Sequence, residues 1–452
     1  MVRPQRFGPV TDRLGYACWT RAHSILSSIS PLCCHTLSFR KGGVEFLKGV
    51  MLTGKFNRTI KYRGGKDMKK IMTVALSIVL IICFTATISA AAEKKRGKFG
   101  VDKRHEEIKT LKVETSNQKI NWKMVMPWSK GLLFYDVAAH FADSVRLASG
   151  GRLDIKVFSA GELVPAMASF DAVSKGSADC GHDWPGYWKG KNEAFVALGS
   201  VPFGLDGEGY GIWLYERGGA EMMNELYGRY NMVALPCGQL DQEQGLSSNR
   251  RATKMEDFKG MRIRTVGWYM DILNKLGASV SPLPGGEIYL ALERGVIDAG
   301  EFSSPAMTYP MGFDDICKYT ISPGVHQPGI QCALFINKKK WDELPEDLKW
   351  IVKICATETQ GWSQWWIQNL NAEAVKLLAK KMEFVQMDDE TLSNFAKVAK
   401  AYMEELKAKY PDVKKMLDSQ EKFKEDYADW RRIKAGATPW PIDEYIGGKH
   451  LQ

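Results

Sequence analysis

The sequence has few of the residue patterns that enzymes use for catalysis. Histidine is scarce, with 7 residues in a chain of 452, and no two histidines beyond residue 92 stand at the short spacing of a metal site. That part of the chain also has no Gly-x-Ser-x-Gly motif, no Walker phosphate loop, no His-Glu-x-x-His motif and no Gly-x-Gly-x-x-Gly turn after a strand. These absences disfavour triad hydrolases, nucleotide hydrolases, zinc proteases and dinucleotide-dependent enzymes.

Cysteine is also used without the spacing of a zinc or redox site. The cysteines beyond residue 92 are far apart and none forms a Cys-x-x-Cys pair. They are Cys180, Cys237, Cys317, Cys332 and Cys355. We therefore expect buried free thiols, with one disulfide as the alternative.

The positive charge of the chain lies at its N-terminal end. The formal net charge is +10, but 14 of the 62 basic residues and only 3 of the 52 acidic residues precede residue 93. Beyond that point basic and acidic residues nearly balance. No surface for nucleic acid is therefore indicated in the body of the protein.

Residues 68–92 are typical of a signal peptide. A methionine and two lysines begin the segment, an apolar run over residues 71–82 follows, and small residues including Ala90 and Ala92 precede a polar stretch. The apolar run is too short to span a bilayer comfortably. The pattern predicts export to the periplasm with cleavage after about Ala92, and an uncleaved membrane anchor is the alternative.

The segment before this signal peptide, residues 1–67, does not fit the pattern. It has little acidic character and no clear hydrophobic period, whereas a signal peptide belongs at the N-terminus. We therefore expect translation to begin at Met68 and residues 1–67 to be a wrongly assigned upstream extension. N-terminal sequencing of the precursor tests this expectation.

The chain from residue 119 onwards follows the element order of an α/β protein. Strand and helix patterns alternate through residues 119–240 and again through residues 241–330. This order predicts two α/β lobes with a cleft between them. We expect part of residues 331–380 to complete the first lobe and residues 381–452 to form a C-terminal helical region.

Two charged residues follow strands of the second lobe, at the sheet edge where open α/β sheets bind ligands. Arg264 closes one predicted strand and Glu301 follows another. An arginine fork binds a carboxylate with two hydrogen bonds and keeps its charge when buried, so Arg264 is a candidate anion receptor. Glu301 would repel an anionic ligand unless a proton or a hard cation neutralised it. For both residues a solvated position at the strand end is the alternative.

Eight longer stretches carry a likeness to a known family. They are residues 149–153, 160–166, 170–173, 187–191, 201–204, 260–264, 283–289 and 319–328. These stretches resemble the substrate-binding proteins of tripartite ATP-independent periplasmic (TRAP) transporters, and the resemblance extends from about Asn121 to Trp440. It implies a two-lobed, venus-flytrap α/β fold with hinge strands and long C-terminal helices. It also implies that Arg264 holds the carboxylate of an organic acid, which the protein delivers to a membrane permease.

The Pro-Gly-Gly-Glu-Ile-Tyr stretch and Glu301 are most similar to one branch of the family. That branch binds 2-oxo acids or other small monocarboxylates through a bridging cation, here a sodium or calcium ion, and needs no organic cofactor. In the branch the acid is usually followed by tryptophan, but here Phe302 follows Glu301. The resemblance implies that the Glu301 side chain and the Phe302 main-chain carbonyl hold the metal, while the wall of the pocket differs.

The resemblance implies further residues around the ligand. An amide ligand for the metal is expected within residues 239–245, where Gln242 and Gln244 are favoured and Glu243 would change the charge of the site. Side chains of the first lobe are expected to wall the pocket, although core packing is an equally good interpretation of each. They are Trp128, Tyr187, Trp188 and His182.

The leading interpretation is therefore a binding receptor and not an enzyme. A secreted α/β enzyme that acts on a small carboxylic acid, with Glu301 as general base, is the alternative. The C-terminal helices resemble helices that swap between subunits in some relatives, so a homodimer through them is a further implication.

Overall fold

The structure is a computed structural model that describes residues 37–40, 43–46 and 111–435. In the N-terminal part, β1 (Leu37–Arg40) pairs antiparallel with β2 (Gly43–Phe46). The predicted signal peptide, residues 68–92, lies outside the described residues, and so does most of the predicted extension over residues 1–67.

The chain divides into two compact units, Met1–Thr110 and Leu111–Gln452. The second unit contains two β-sheets, each accompanied by helices. Each sheet forms the centre of one lobe, as the repeated strand and helix order predicts.

A five-stranded sheet forms the first lobe, and its spatial order is β4-β3-β5-β12-β6. The strands are β3 (Ile120–Val125), β4 (Leu153–Phe158), β5 (Cys180–Asp183), β6 (Met232–Leu240) and β12 (Ile330–Asn337). Strand β3 runs parallel to β4 and β5, whereas β12 runs antiparallel to β5 and β6. The helices of this lobe are α1 (Leu133–Ala148), α2 (Ser169–Ser174), α3 (Ala194–Gly199), α4 (Gly207–Glu216) and α5 (Gly219–Gly228).

The period of the apolar residues explains the first helix and the strand after it. Helix α1 buries residues three or four positions apart, which places them on one face of the helix. They are Phe134, Val137, Phe141 and Val145. Two glycines with positive φ, Gly150 at 62° and Gly151 at 75°, follow the helix and end it. In β4 burial then alternates, with Leu153 and Ile155 buried and the residue between them exposed.

A six-stranded sheet forms the second lobe, and its spatial order is β13-β11-β7-β10-β8-β9. The strands are β7 (Leu246–Ser248), β8 (Arg262–Arg264), β9 (Ser279–Ser281), β10 (Ala299–Gly300), β11 (Tyr319–Ser322) and β13 (Glu383–Gln386). Strand β8 runs parallel to its neighbours β9 and β10, and β7 runs antiparallel to β10 and β11. The helices of this lobe are α6 (Gly267–Lys275), α7 (Ile288–Glu293), α8 (Pro305–Thr308) and α9 (Phe313–Ile316).

The edge strand β13 differs from the sequence expectation, which placed residues 381–452 in a helical region. Its four residues pair parallel with β11 and extend the second sheet. Only Val385 in the strand is buried, so the segment shows no alternation that would distinguish it from a loop between two helices.

Two extended segments connect the lobes. Residues 241–245 lead from β6 to β7, and residues 323–329 lead from β11 back to β12. The two segments pair through an antiparallel bridge between Glu243 and Gly324, and the Glu243 main-chain N–H donates to the Gln327 carbonyl at 3.0 Å. The two crossing segments are the hinge strands that the family resemblance implies.

The C-terminal part of the described chain is mostly helical. Its helices are α10 (Lys338–Asp342), α11 (Glu346–Leu378), α12 (Asp389–Lys409) and α13 (Pro411–Ala435). Helix α11 leads from the first lobe to β13 of the second. Among the described residues, no helix combines the length and the apolar character that a membrane span requires.

The last two helices contact different lobes. In α12, the Tyr402 hydroxyl donates to Asp271 of the second lobe at 2.7 Å. In α13, the Gln420 amide donates to the Ala197 carbonyl of the first lobe at 2.9 Å. The C-terminal helices therefore contact both lobes of the same chain.

The lobes are closed on each other in this structure. The Trp268 indole of the second lobe donates to the Glu193 carboxylate of the first at 3.0 Å, and Lys189 of the first lobe pairs with Asp271 of the second. These contacts bring the ends of the second-lobe strands against the first lobe.

The cysteines beyond residue 92 are buried free thiols, as the sequence predicts. Burial raises the pKa of the Cys317 thiol to about 12 and that of Cys355 to about 11. Because the thiolate is the reactive form, these side chains act as small apolar residues.

Candidate functional site

Arg264 occupies the last position of β8 and is almost completely buried. Only 1% of its side chain is exposed. Its Nε donates to the Leu283 carbonyl at 2.9 Å and its Nη1 donates to the Glu301 carbonyl at 2.6 Å. These two main-chain acceptors hold the plane of the guanidinium in a fixed orientation.

Glu301 follows β10, the strand that neighbours β8, so the parallel pairing brings the two predicted residues together. Its Oε1 lies 3.2 Å from Arg264 Nη1 and accepts a hydrogen bond from the Thr265 hydroxyl at 2.8 Å. The Val266 main-chain N–H also donates to Oε1, at 3.3 Å. Arg264 and Glu301 thus form a buried ion pair at the edge where the second sheet meets the first lobe.

A second acid and a histidine reach this ion pair from the crossing segments. Glu243 Oε2 lies 2.8 Å from His326 Nε2, and both side chains are buried. The His326 ring stacks on Tyr269 of α6, with ring centroids 4.6 Å apart. Burial and the negative charge of Glu301 raise the pKa of the Glu243 carboxyl, while His326 and the charge of Arg264 oppose that rise.

The group Glu243, Glu301 and His326 fits a metal ion. One potential ligand atom from each residue lies within 4.8 Å of the others, and all three residues are buried. Two carboxylates suit a hard cation, and an imidazole is a further possible ligand. The sequence predicts Glu301 in such a group, whereas His326 lies in the stretch 319–328 and has no second histidine at metal-site spacing.

The structure separates the two amides that the sequence analysis favoured. Gln242 is exposed. Gln244 is buried, but its amide nitrogen donates to Ser247 at 3.0 Å and its amide oxygen accepts from Thr308 at 3.1 Å. The side chain of this segment that reaches Glu301 and His326 is instead Glu243.

Aromatic rings line the contact between the lobes beside Arg264. The Arg264 guanidinium lies 5.7 Å from the centroid of the Phe302 ring. Phe302 meets Phe134 of the first lobe edge-on at 6.3 Å, and Phe134 stacks on Trp128 at 4.7 Å. Phe302 and Trp128 therefore belong to one aromatic group that joins the lobes.

Tyr187 lies within electrostatic reach of the ion pair. Burial raises the pKa of its hydroxyl to about 12, the positive charge of Arg264 opposes this rise, and the negative charge of Glu301 adds to it. Its ring meets Trp184 edge-on at 5.3 Å. Trp184, which the sequence analysis did not select, packs against Gly186 of the first lobe and Gly267 of the second.

The other two predicted residues of the first lobe pack in its interior. Trp188 donates from its indole to Asp183 at 2.7 Å and packs on Phe170 with ring centroids 5.0 Å apart. His182 lies 2.5 Å from the Cys237 carbonyl and meets the Trp128 ring at 5.3 Å. The structure therefore places Trp188 among core residues and His182 behind Trp128.

The segment after Glu301 has an unusual backbone. Ser303 has a φ of 62°, in the left-handed region that non-glycine residues rarely adopt. The hydroxyls of Ser303 and Ser304 are buried and have no hydrogen-bond partner among the described residues. Strained backbone and unsatisfied buried donors tend to occur at binding sites.

Comparison with known proteins identifies the family. Residues 124–409 match the model of the family described as bacterial extracellular solute-binding protein, family 7. The chain belongs to this family. The match covers both lobes and helix α12. The predicted relationship to the TRAP solute-binding proteins is therefore confirmed.

Individual relatives agree with this assignment. The chain is 31% identical to a monocarboxylate 2-oxoacid-binding periplasmic protein of Nostoc sp. (strain PCC 7120) over 325 residues, which cover 72% of this chain and 89% of the relative. One solved relative is a TRAP transporter solute-binding protein from Bordetella bronchiseptica RB50 with calcium and picolinate in its active site. It is 29% identical to this chain, with a TM-score of 0.69, and the match covers 73% of this chain and 98% of that one. Another from Pseudoalteromonas atlantica T6c, with bound sodium and pyruvate, is 28% identical with a TM-score of 0.68 over 71% and 98%.

These similarities confirm the two-lobed fold and the role of a solute-binding receptor. They also show that solved relatives hold a small organic acid together with calcium or sodium. The family is extracellular by its description, which agrees with the predicted export.

Proposed function

We propose that this protein is the periplasmic receptor of a TRAP transporter and captures a small monocarboxylate, a 2-oxo or hydroxy acid, between its lobes. In this proposal Arg264 binds the ligand carboxylate and a cation held by Glu301 bridges to it. A signal peptide over residues 68–92 directs export, and the loaded receptor delivers the acid to the membrane permease.

The observation that carries the proposal is the buried Arg264 at the contact between the lobes. Its hydrogen bonds to the Leu283 and Glu301 carbonyls occupy Nε and Nη1, and a guanidinium has five N–H donors. Nη1 also lies 3.2 Å from Glu301 Oε1, so the two N–H groups of Nη2 are the donors left to bind a ligand carboxylate. The main-chain acceptors fix the fork before the ligand arrives, so little conformational entropy is lost on binding.

The two buried acids explain why a cation accompanies the ligand. A carboxylate that approaches Arg264 also approaches Glu301 and Glu243, and like charges repel strongly in a buried site. Glu301 and Glu243 are the residues that would hold a cation, together with the Phe302 carbonyl that the family resemblance implies. The cation would supply the positive charge that lets an anion enter beside two carboxylates.

The oxo or hydroxyl group of the acid needs its own partners. The hydroxyls of Ser303 and Ser304, which have no hydrogen-bond partner among the described residues, come directly after Phe302 and can bind a second oxygen of the ligand. Phe302, Phe134 and Trp128 cover the apolar side and exclude water when the lobes close. A small acid with one carboxylate and one neighbouring oxygen fits these groups.

The crossing segments provide the capture step. Residues 241–245 and 323–329 connect the lobes and carry Glu243 and His326, so lobe movement and the site share the same residues. Closure forms the Trp268 to Glu193 hydrogen bond across the cleft. In the alternative of an enzyme Glu301 would act as general base, but its Oε1 already accepts hydrogen bonds from Thr265 and Val266 and pairs with Arg264.

A thermal-shift screen tests the proposed function. The exported protein is heated with small monocarboxylates, each with sodium, with calcium or with neither. A ligand at about 100 times its Kd adds about 2.7 kcal/mol of stability, so the correct acid raises the Tm measurably. We expect a 2-oxo or hydroxy acid to raise the Tm only when a cation is present.

Variants at one strand show whether the shift comes from the proposed site. Arg264→Ala should abolish the shift, and Arg264→Lys, which keeps the charge without the fork, should weaken it strongly. Arg262→Ala is the control, because Arg262 lies on the same strand but is exposed and pairs with Asp298 at 2.6 Å. A shift that persists in Arg264→Ala, or no shift with any acid, would contradict the proposal.

A further inference from the structure

We infer that Glu243 sets the charge of the bridging cation, so that this receptor takes a divalent cation, with calcium as the probe, in preference to sodium. The inference rests on the proposed function, because it concerns the cation that accompanies the carboxylate ligand. It depends on which side chain of residues 241–245 faces the site.

The geometry of the crossing segments determines which side chain of residues 241–245 faces the site. The bridge to Gly324 and the main-chain bond to Gln327 hold Glu243 in extended backbone. Gln242 is exposed and Glu243 is 5% exposed, while Gln244 is also buried but has its amide hydrogen-bonded to Ser247 and Thr308. An acid from the segment in which the family resemblance implies an amide ligand therefore lies with Glu301 and His326.

His326 orients this acid. A carboxylate only accepts hydrogen bonds, so His326 Nε2 donates to Glu243 Oε2 over their 2.8 Å separation. A neutral imidazole with its proton on Nε2 can make this bond, and the stack on Tyr269 holds the ring in place. Oε1 of Glu243 is then the oxygen that can turn towards Glu301.

The charges of the loaded site favour a divalent ion. With a monocarboxylate bound and the His326 imidazole neutral, ionised Glu243 and Glu301 bring the negative charges to three, and Arg264 supplies one positive charge. Sodium would leave one negative charge buried, whereas a divalent cation neutralises the group. A buried charge without a compensating partner is strongly unfavourable, so the neutralised group should be the more stable one.

The ligand atoms also suit calcium. Calcium prefers six to eight oxygen ligands, and its affinity rises with the number of charged ligands. Two carboxylates, the ligand acid and main-chain carbonyls can provide such a set. With glutamine at position 243 the same site would carry one negative charge less and would suit a monovalent ion.

Terbium luminescence measures the cation without measuring the acid. Terbium substitutes for calcium, and aromatic side chains such as Tyr269, which stacks on His326, can sensitise its emission. In wild-type protein with pyruvate, we expect calcium to displace terbium. Sodium at the same concentration should leave terbium bound. In Glu243→Gln, calcium affinity should fall at least about tenfold, and sodium should now support pyruvate binding.

Two further variants keep this test specific. Glu243→Asp keeps the charge and should keep the preference for calcium, even if the shorter side chain weakens the affinity. Glu293→Gln removes an exposed acid from α7 of the same lobe and should change neither cation preference nor affinity. Melting curves recorded without cation show whether each variant folds.

The outcomes separate the inference from the proposed function. If no monocarboxylate binds with any cation, the proposed function fails and the inference fails with it. If pyruvate or another acid binds but sodium serves as well as calcium in wild type, only the inference is overturned. The same holds if Glu243→Gln leaves the ratio of calcium to sodium affinity unchanged.

Discussion

His182 is a buried neutral histidine whose environment opposes protonation. Its ring contacts Trp128, its Nε2 lies 2.5 Å from the Cys237 carbonyl, and burial lowers its pKa to about 4. In the unfolded chain the pKa is about 6.5. The folded state therefore binds this proton less readily than the unfolded state between pH 6.5 and pH 4.

This difference predicts a loss of stability in acid. The contribution of His182 is fully present above pH 6.5 and is lost as the pH falls towards 4, by roughly 3 kcal/mol in the free energy of unfolding. In His182→Asn the amide can still donate to the Cys237 carbonyl but does not titrate. Urea unfolding between pH 7 and 4 should show a shallower pH dependence for this variant, and equal slopes would refute the assignment.

Single residues of the site could be predicted where they follow regular elements. Arg264 and Glu301 end neighbouring parallel strands, and that topology brings strand ends together. Glu243 lies in a crossing segment without a hydrophobic period, so the sequence could not show which of three consecutive polar residues faces inwards. Tyr187 and Trp188 lie in one tight turn, Pro185–Trp188, and point to different surroundings.

At the scale of the element, the crossing segments depend on one glycine. Gly245 has a φ of 107°, and a Cβ atom placed on it would lie 1.9 Å from the Ile321 carbonyl oxygen. Both the backbone conformation and the space therefore exclude a side chain. This close approach is where the first crossing segment enters β7 beside β11.

Gly245→Ala should destabilise the protein and disturb lobe closure. We expect a loss of more than about 3 kcal/mol in the free energy of unfolding, because the clash involves main-chain atoms that cannot move independently. Gly151→Ala is the matched control, since Gly151 has a φ of 75° but no atom within 4 Å of the added Cβ. Its cost should stay near 1 kcal/mol, and similar losses in both variants on urea unfolding would contradict this account.

The elements themselves were largely predictable. Helix α1 and strand β4 have clear periods, and both lie within residues 119–240, where the sequence predicts alternating strands and helices. Strand β13 was missed because it has one buried residue in four, and its pairing with β11 depends on a partner about 60 residues away in sequence. A local sequence pattern does not predict pairing between strands that are this far apart in the chain.

At the scale of the whole molecule, the two C-terminal helices pack against both lobes. Helix α12 contacts the second lobe through Tyr402, and α13 contacts the first through Gln420 and through the ion pair of Asp412 with Arg229 at 2.6 Å. The predicted homodimer would require these helices to exchange such contacts with a second copy, and it stays a prediction. Sedimentation of the exported protein at several concentrations measures it.

The central claim is that a small monocarboxylate binds between the lobes at Arg264. Isothermal titration of pyruvate into the exported protein, with calcium present, tests it most directly. We predict a saturable heat with one site per chain, an affinity loss of roughly 100-fold in Arg264→Ala, equivalent to about 2.7 kcal/mol, and no loss in Arg262→Ala. Equal affinities in the two variants, or the absence of saturable heat for pyruvate and for related 2-oxo and hydroxy acids, would contradict the account.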